Sequence, residues 1–467
     1  MFTRGSFLGA ASAFAAAPLL GADAQHSEPR FAAGVVRGDL DAIWSTLLDV
    51  GAEPFRTSKR SSVEERYRVA RAGIASAMTA REAWLAIVPV LGALNDGHVS
   101  LGFPDPLNAA PRRFPVRFAL ADKDDSLIVV TDRTNTIPIG SRVVSVDGIS
   151  AERYRSVTLD AFGGQTRTLH RSRVTTSGRW SAVALFGDRP TYRFRWVTSS
   201  GVAHDADIPS AASQTTETAN RQNDDPYTYR TLQGGAVGFL DYRRCEDLAR
   251  FKRFLDTTFN SIQAAPVRAL IIDIRRNGGG DSDLNDVLWT YVSSKPFKQF
   301  GEVIEKACDR LKREYGRAKY VEIYGDKAWR APDGTILRSG TDPNADLIVS
   351  GPLAVRFTGP VYLLISAQTF SSAMSCADAA KDYGLATIVG EETGEPVNST
   401  GEVYTETTSG IGLRAYLTTT VFLSPKPHPD GQGVVPDIAV PTTPADIAAG
   451  RDPVLERVFA MISEHWP

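Results

Sequence analysis

An α/β sheet covered on both faces is the fold class predicted by the second half of this sequence. Strand and helix patterns alternate after Tyr227. The strand at Val361–Ile365 is an unbroken apolar run and that at Val267–Ile274 a near-continuous one, as befits strands buried on both sides. Each of those two strands runs into a short loop that opens directly into a helix, the strand–helix alternation of an α/β layer. The 467 residues allow two or three domains with at least one large core. With 52 Lys and Arg against 54 Asp and Glu and no basic block, the charge pattern excludes nucleic acid and a polybasic membrane contact as partners.

Residues 1–24 read as a secretory signal. Arg4 is followed by an alanine-rich apolar run from Phe7 to Leu20 and then Gly21-Ala-Asp-Ala24, a small-residue cleavage pattern. Thr3-Arg-Gly-Ser-Phe-Leu8 is similar to a twin-arginine export signal with Gly5 in place of the second arginine. A periplasmic or secreted location follows as the expectation. No other run approaches the ~18 apolar residues of a membrane span, so stable membrane insertion is not expected. The three cysteines, Cys245, Cys308 and Cys376, form no C-x-x-C pair, which excludes a disulfide scaffold and a cysteine-rich zinc site. Cys376 reads as packed core.

Residues 30–104 predict a helical domain. Leu40, Ile43, Trp44, Leu47 and Leu48 share one face at helical spacing. Ser62-x-x-Glu65 and Thr79-x-x-Glu82 have the form of capping boxes. A third helix through Trp84, Val88 and Leu91, with Pro89 inside it, ends at Asn95-Asp96-Gly97, and His98 follows that turn. Residues 112–210 change to a period of two and predict a β-rich module, in which Gly140–Gly148 is similar to a short piece of a PDZ domain. Residues 211–226 are a polar linker. Residues 227–447 form the α/β core, with a charged, turn-rich insertion at 301–353, and a helix closes the chain over 448–467.

In such sheets chemistry gathers at the carboxyl ends of the strands. One marked end is Asp273-Ile-Arg-Arg-Asn-Gly-Gly-Gly280, whose glycines allow close backbone approach and aim N–H groups at a ligand. It lacks the G-K-[ST] ending and G-x-G-x-x-G spacing of nucleotide loops, which leaves half of an oxyanion hole as its other use. The second is the turn Thr369–Ser372 between the apolar strand and a helix that Gly384 stops. Ser371 there is either a helix cap or a nucleophile at the positive end of a helix, beside free N–H groups.

Taken together, Asp273–Gly280, Thr369-Phe-Ser-Ser-Ala-Met374, Asp382-Tyr-Gly384, Ile388-Val-Gly-Glu391 and Gly431-Gln-Gly-Val-Val-Pro-Asp437 resemble, in order and spacing, the tail-specific, C-terminal-processing serine peptidases, a family that includes the tricorn core proteases. The resemblance implies a crotonase-like α/β core, a PDZ-like module before it and an N-terminal helical region. It also implies Ser371 as nucleophile, with the Ser372 amide and a glycine of the 278–280 run, Gly279 or Gly280, as oxyanion donors. The chain departs from the family's commoner Ser-Lys dyad. The lysine position falls at Glu395-Pro396, and no lysine lies between Lys381 and Lys426. Lys381 stands ~15 Å further along the serine's own helix.

The tricorn-like branch implies a histidine base instead, in an Asp-Gly-His turn: here Asp96-Gly-His98, with Gly97 where that branch has serine. It also implies an acidic residue before the Gly-Val-x-Pro-Asp motif, here Asp430, to orient the imidazole. An unperturbed imidazole pKa of ~6.5 suits proton abstraction near neutrality. His428 is the rival base, Glu391 and Glu392 fall near the site, and Asp437 anchors the closing loop. The expectation is a serine peptidase acting on peptide or unfolded protein, with no metal or organic cofactor, whose β-rich module takes an extended peptide at a sheet edge. Two alternatives stand beside it: a catalytically inactive binder of the same fold, and a hydrolase of non-peptide esters or amides.

Overall fold

The computed structural model describes residues 28–465 except 105–111, 122, 213–224, 341, 343–346, 350 and 352. The expected signal segment and most of the linker lie outside the described residues. Among those described, no helix is long and apolar enough to cross a membrane.

The protein is a mixed α/β structure built around a six-stranded sheet, ordered Tyr227–Leu232, Val237–Tyr242, Ala269–Asp273, Val361–Ile365, Thr387–Gly390 and Ile438–Ala439. The first pair is antiparallel and every later pair parallel. Pleating sends alternate residues to opposite faces. Leu270, Ile272, Leu363 and Ile365 pack with Phe251, Leu255, Leu288, Trp289 and Cys376, from the helices Leu248–Ala264, Asp283–Thr290 and Ser372–Tyr383. Ala269, Ile271, Tyr362 and Leu364 face the other way, onto Val454, Val458 and Ile462 of the helix Pro453–His465. Both faces are therefore covered, which is why the runs from Ala269 to Ile272 and from Val361 to Ile365 are apolar on both sides. The three cysteines are buried and unpaired.

The stretch expected to be an insertion joins a second sheet. Ile336–Ser339, Val303–Lys306, Arg414–Phe422 and Ser399–Thr407 lie in that order, and Ser100–Leu101 adds to Arg414–Phe422. The helices Ala33–Val50 and Ala80–Gly92 pack on this sheet and on the helix Asp309–Arg330 through Leu40, Ile43, Leu47, Trp84, Leu311, Tyr320, Leu413 and Leu417. Fully buried Trp84 donates from Nε1 to the Leu101 carbonyl at 3.1 Å. Asp39 accepts the Gly410 and Ile411 amides at 2.9 and 2.7 Å. The helical region is thus fastened to the hairpin of the second sheet by side chains far apart in sequence.

Residues 116–209 contain the antiparallel strands Val116–Leu120, Leu127–Asp132, Arg142–Val146, Thr191–Val197 and Ala203–Pro209. They also contain the helices Ala151–Ala161, Arg167–Thr176 and Gly178–Phe186, which the period-two reading did not include. Of the two capping boxes, Thr79 and Glu82 form theirs, at 3.2 and 2.8 Å. Ser62 does not cap: its helix begins at Arg60, where the Arg60–Glu64 pair at 2.7 Å and the Arg60 guanidinium over Phe55 already hold the first turn.

Candidate active site

The parallel pairing of Ala269–Asp273 with Val361–Ile365 places their carboxyl ends side by side. The two loops are then stitched together. Thr369 Oγ1 donates to the Ile274 carbonyl at 3.0 Å, Ser366 Oγ to the Arg275 carbonyl at 2.6 Å, and the Phe370 N–H to the Asn277 carbonyl at 3.1 Å. Ser371 sits at φ 54°, ψ −131°, just before the helix Ser372–Tyr383, and its side chain makes no capping hydrogen bond. The cap reading therefore fails. A non-glycine residue at such a φ carries ~1–3 kcal/mol of strain, held in place only by its surroundings. Gly384 stops the helix in the left-handed conformation, as the sequence predicted.

Gly279 lies directly against this turn. A Cβ at Gly279 would come within 2.5 Å of the Ser371 Cβ and 2.9 Å of the Ser372 amide nitrogen. Its own N–H, however, donates to Asn277 Oδ1 at 2.9 Å. Asn277 is completely buried, with Nδ2 donating to the Tyr242 carbonyl at 3.1 Å, so that bond is built into the loop. Gly279 is corrected from an oxyanion donor to the residue that makes room for Ser371. The Ser372 and Gly280 amides accordingly have no acceptor among the described residues. Ser372 Oγ donates to the Gly280 carbonyl at 2.5 Å, which joins the two segments.

The histidine arrives from the helical region. Asp96 Oδ1 accepts the His98 amide at 2.9 Å, while Oδ2 accepts Thr400 Oγ1 and Thr418 Oγ1 at 2.7 and 3.1 Å. Those two threonines belong to the second sheet, so the Asp96-Gly-His98 turn is pinned to its strands. The Gly97 N–H donates to Gln165 Oε1 at 3.3 Å, and Arg173 Nη2 donates to the Gly97 carbonyl at 2.9 Å. A Cβ at Gly97 would meet the Phe370 ring at 2.8 Å. The glycine lets that ring, the neighbour of Ser371, lie against the imidazole with centroids 4.6 Å apart.

The carboxylate beside His98 is Glu395, not Asp430. Glu395 is fully buried, and its Oε1 lies 3.1 Å from His98 Nδ1, a contact short of hydrogen-bond alignment that becomes an ion pair when the imidazole is protonated. Its Oε2 accepts the Ser371 backbone N–H. One carboxylate therefore touches both the serine turn and the imidazole. Burial by itself would lower the His98 pKa. The Glu395 charge, reinforced by Asp96 and opposed by Arg173, outweighs that and holds it above the ordinary 6.5. Asp430 is exposed on the loop after Ser424 and takes no part in this contact. Its assignment rested on motif position, whereas Glu395 occupies the position at which the commoner pattern has its lysine. Its place at that lysine position was the one feature of the sequence that could have pointed to it.

The other candidates lie elsewhere. His428 Nε2 faces Asp378 Oδ1 at 3.4 Å and Asp382 Oδ1 at 3.2 Å, further along the helix that Ser371 precedes. Burial and the neighbouring Asp382 push Asp378 up to about 7. Lys381 pairs with Asp437, which also accepts the Ile388 amide at 2.8 Å and so anchors the last strand. Lys426 bonds to the Asp382 carbonyl. Glu392 accepts the Gly433 amide at 2.8 Å and Thr168 Oγ1 at 3.2 Å. A cleft of about 830 Å³, lined by Arg171, Asp241, Asp273, Arg276, Ser366 and Glu391 among others, borders the start of the serine turn.

Residues 237–440 match the family model described as peptidase family S41. Among solved structures, the chain is similar to mature CPAF, with a TM-score of 0.61 at 15% identity over 93% of this chain and 99% of that one. Mature CPAF complexed with lactacystin matches with a TM-score of 0.60 at 15% identity, over 92% and 98% of the two chains. The photosystem II D1 C-terminal processing protease matches at 15% identity over 87% and 93%, with a TM-score of 0.43. No curated protein sequence matches the chain. At these identities the likeness to CPAF is one of fold.

Proposed function

We propose, from the match of residues 237–440 to the peptidase family S41 model, that this protein is a serine peptidase with Ser371 as nucleophile, His98 as base and Glu395 as the group that orients the base. The observation that carries the reading is the buried Glu395 carboxylate, in contact with His98 Nδ1 at 3.1 Å and with the Ser371 amide. In the reaction, Ser371 Oγ attacks the substrate carbonyl carbon and its proton passes to His98 Nε2, since Nδ1 faces Glu395. The imidazolium so formed is stabilised by the Glu395 charge. The tetrahedral oxyanion takes hydrogen bonds from the Ser372 and Gly280 amides, at the positive end of the helix Ser372–Tyr383. His98 then returns the proton to the leaving amine, and water resolves the acyl-enzyme by the same route in reverse.

The finer assignments belong to the same reading: a crotonase-like core, a PDZ-like module over 112–210, an exported protein whose first 24 residues are removed, and peptides or unfolded proteins as substrate. What supports export is the leader-like composition of residues 1–24. A fluorophosphonate probe tests the core of the proposal. Wild type should carry one adduct, mapped to Ser371, and His98→Ala should carry none on the same timescale. An unlabelled wild type in active buffer would remove the enzyme reading, and ester turnover without any peptide cleavage would replace peptidase by esterase.

A further inference from the structure

We propose that Asp378, Asp382 and His428 form a binding site for a divalent transition-metal ion, with Zn²⁺ the best match, separate from the Ser371 site. The three ligand atoms lie within 4.8 Å of one another. His428 Nε2 stands 3.4 Å from Asp378 Oδ1 and 3.2 Å from Asp382 Oδ1. Zinc bonded at ~2.0–2.2 Å in tetrahedral geometry needs ligand-to-ligand edges of ~3.3–3.5 Å. Two edges of the tetrahedron are therefore already at the right length without a shift of the backbone.

The donors are also prepared to receive an ion. Asp378 is 2% exposed, yet its Oδ1 has no hydrogen-bond partner, and neither has His428 Nε2. These two atoms lie 3.4 Å apart without hydrogen-bond alignment. The opposite oxygens are occupied: Ser424 Oγ lies 2.8 Å from Asp378 Oδ2 and 3.3 Å from Asp382 Oδ2. That hydroxyl has one proton, and its shorter contact holds Asp378 through Oδ2 and leaves Oδ1 on the side of the imidazole, the part an outer-shell group plays around a metal.

Asp378 and Asp382 are one helical turn apart and so share a face. Neither nearby lysine bonds to the two carboxylates: Lys381 pairs with Asp437, and Lys426 is held by the Asp382 carbonyl above the Tyr383 ring. Two carboxylates and one imidazole, with no thiolate, are a borderline-hard donor set suited to zinc. The His428 side chain is 20% exposed, which leaves a side open for water as the fourth ligand. Bound there, the ion clamps the loop after Ser424 to the helix that begins beside Ser371.

The test uses tag-free full-length protein, dialysed against EDTA and titrated with Zn²⁺ against a chromophoric chelator, with elemental analysis for stoichiometry. Wild type should bind one Zn²⁺ per chain and melt at a higher temperature with it. His428→Ala and Asp382→Asn should each weaken binding at least ~100-fold while the circular dichroism stays unchanged, and Ser424→Ala should weaken it ~10-fold. Co²⁺ should give tetrahedral d–d absorption in wild type that vanishes in His428→Ala. Absence of stoichiometric zinc in wild type, or equal binding by a folded His428→Ala, overturns the proposal and leaves the cluster as an imidazolium held between two carboxylates. Fluorophosphonate labelling of Ser371 is measured in parallel, so that loss of the metal site and loss of the peptidase reading are told apart.

Discussion

Replacing Glu395 by glutamine removes one charge and almost no volume from the contact between the two halves of the site. The carboxylate oxygen lies 3.1 Å from His98 Nδ1. At an effective dielectric constant of ~20, the attraction between that charge and an imidazolium at this distance is ~5 kcal/mol. At ~1.4 kcal/mol per decade, loss of the charge lowers the rate of the step that creates the imidazolium by ~10³–10⁴-fold. A glutamine amide facing Nδ1 would also favour the tautomer that carries its proton on Nε2, which cannot accept from the serine. The glutamine oxygen still accepts the Ser371 amide, so the turn should survive. The assays are fluorophosphonate labelling followed by intact mass, and kcat/KM on a cleaved peptide, with a melting curve as the control for folding.

The pH dependence supplies an independent readout. In the proposed mechanism His98 acts only when neutral, and its pKa is raised above 6.5 because the Glu395 charge overcomes the effect of burial. Activity in wild type should therefore fall as pH drops through a value above 6.5, and in Glu395→Gln that limb should move to lower pH. Stability runs the opposite way. A histidine with a raised folded pKa contributes stability fully present below its unfolded value of ~6.5 and lost as pH rises through the folded one. The melting temperature lost by Glu395→Gln should therefore be larger at about pH 5 than at about pH 9. A fall of less than ~10-fold in labelling, or an unmoved acid limb, would refute the role given to Glu395.

Three further outcomes follow from the same geometry. Gly279→Ala should abolish labelling, because the new Cβ would stand 2.5 Å from the Ser371 Cβ at a φ of +98° that disfavours alanine. Labelling at the wild-type rate would show that the turn has room to relax. Gly97→Ala should press on Phe370 at 2.8 Å and displace His98, lowering kcat by ~10² as misplacement of about 1 Å does; an unchanged kcat would mean that the ring yields instead. Glu305→Gln should stabilise the protein above neutral pH. Burial, aided by Glu402, pushes Glu305 up to about 7, so the native state holds a proton that the unfolded chain releases, and stability is lost as pH rises from about 4.5 toward that value. The variant should gain ~1–3 kcal/mol at about pH 8 and nothing at about pH 4, read from urea melts.

Much of this architecture is written in local pattern. The covered sheet follows from unbroken apolar strands, and the Ser371 turn from a strand, a short loop and a helix that ends at Gly384. His98 was legible as the residue after an Asp-Gly turn. Its carboxylate partner was not, because the contact depends on how the second sheet carries Thr400 and Thr418 to Asp96, and no short motif encodes that sheet. The motif-based choice of Asp430 lost to a residue whose burial only the fold determines. The three helices between Ala151 and Phe186 were hidden by the strands that flank them, although Tyr154, Val157, Thr158 and Ala161, all buried, keep helical spacing. Gly279 shows the limit of reading glycines as donors: the buried Asn277 claims its amide, and only the coordinates of both reveal it.

Because Glu395 receives the serine amide from the core and the imidazole from the helical region, the site doubles as a check on assembly. On the proposed mechanism, a chain that has formed its sheet but not docked the segment containing His98 holds a nucleophile without a base. On that mechanism hydrolysis requires the Asp96 turn to be held by Thr400 and Thr418, so a copy in which this contact is broken is silenced by its own incompleteness.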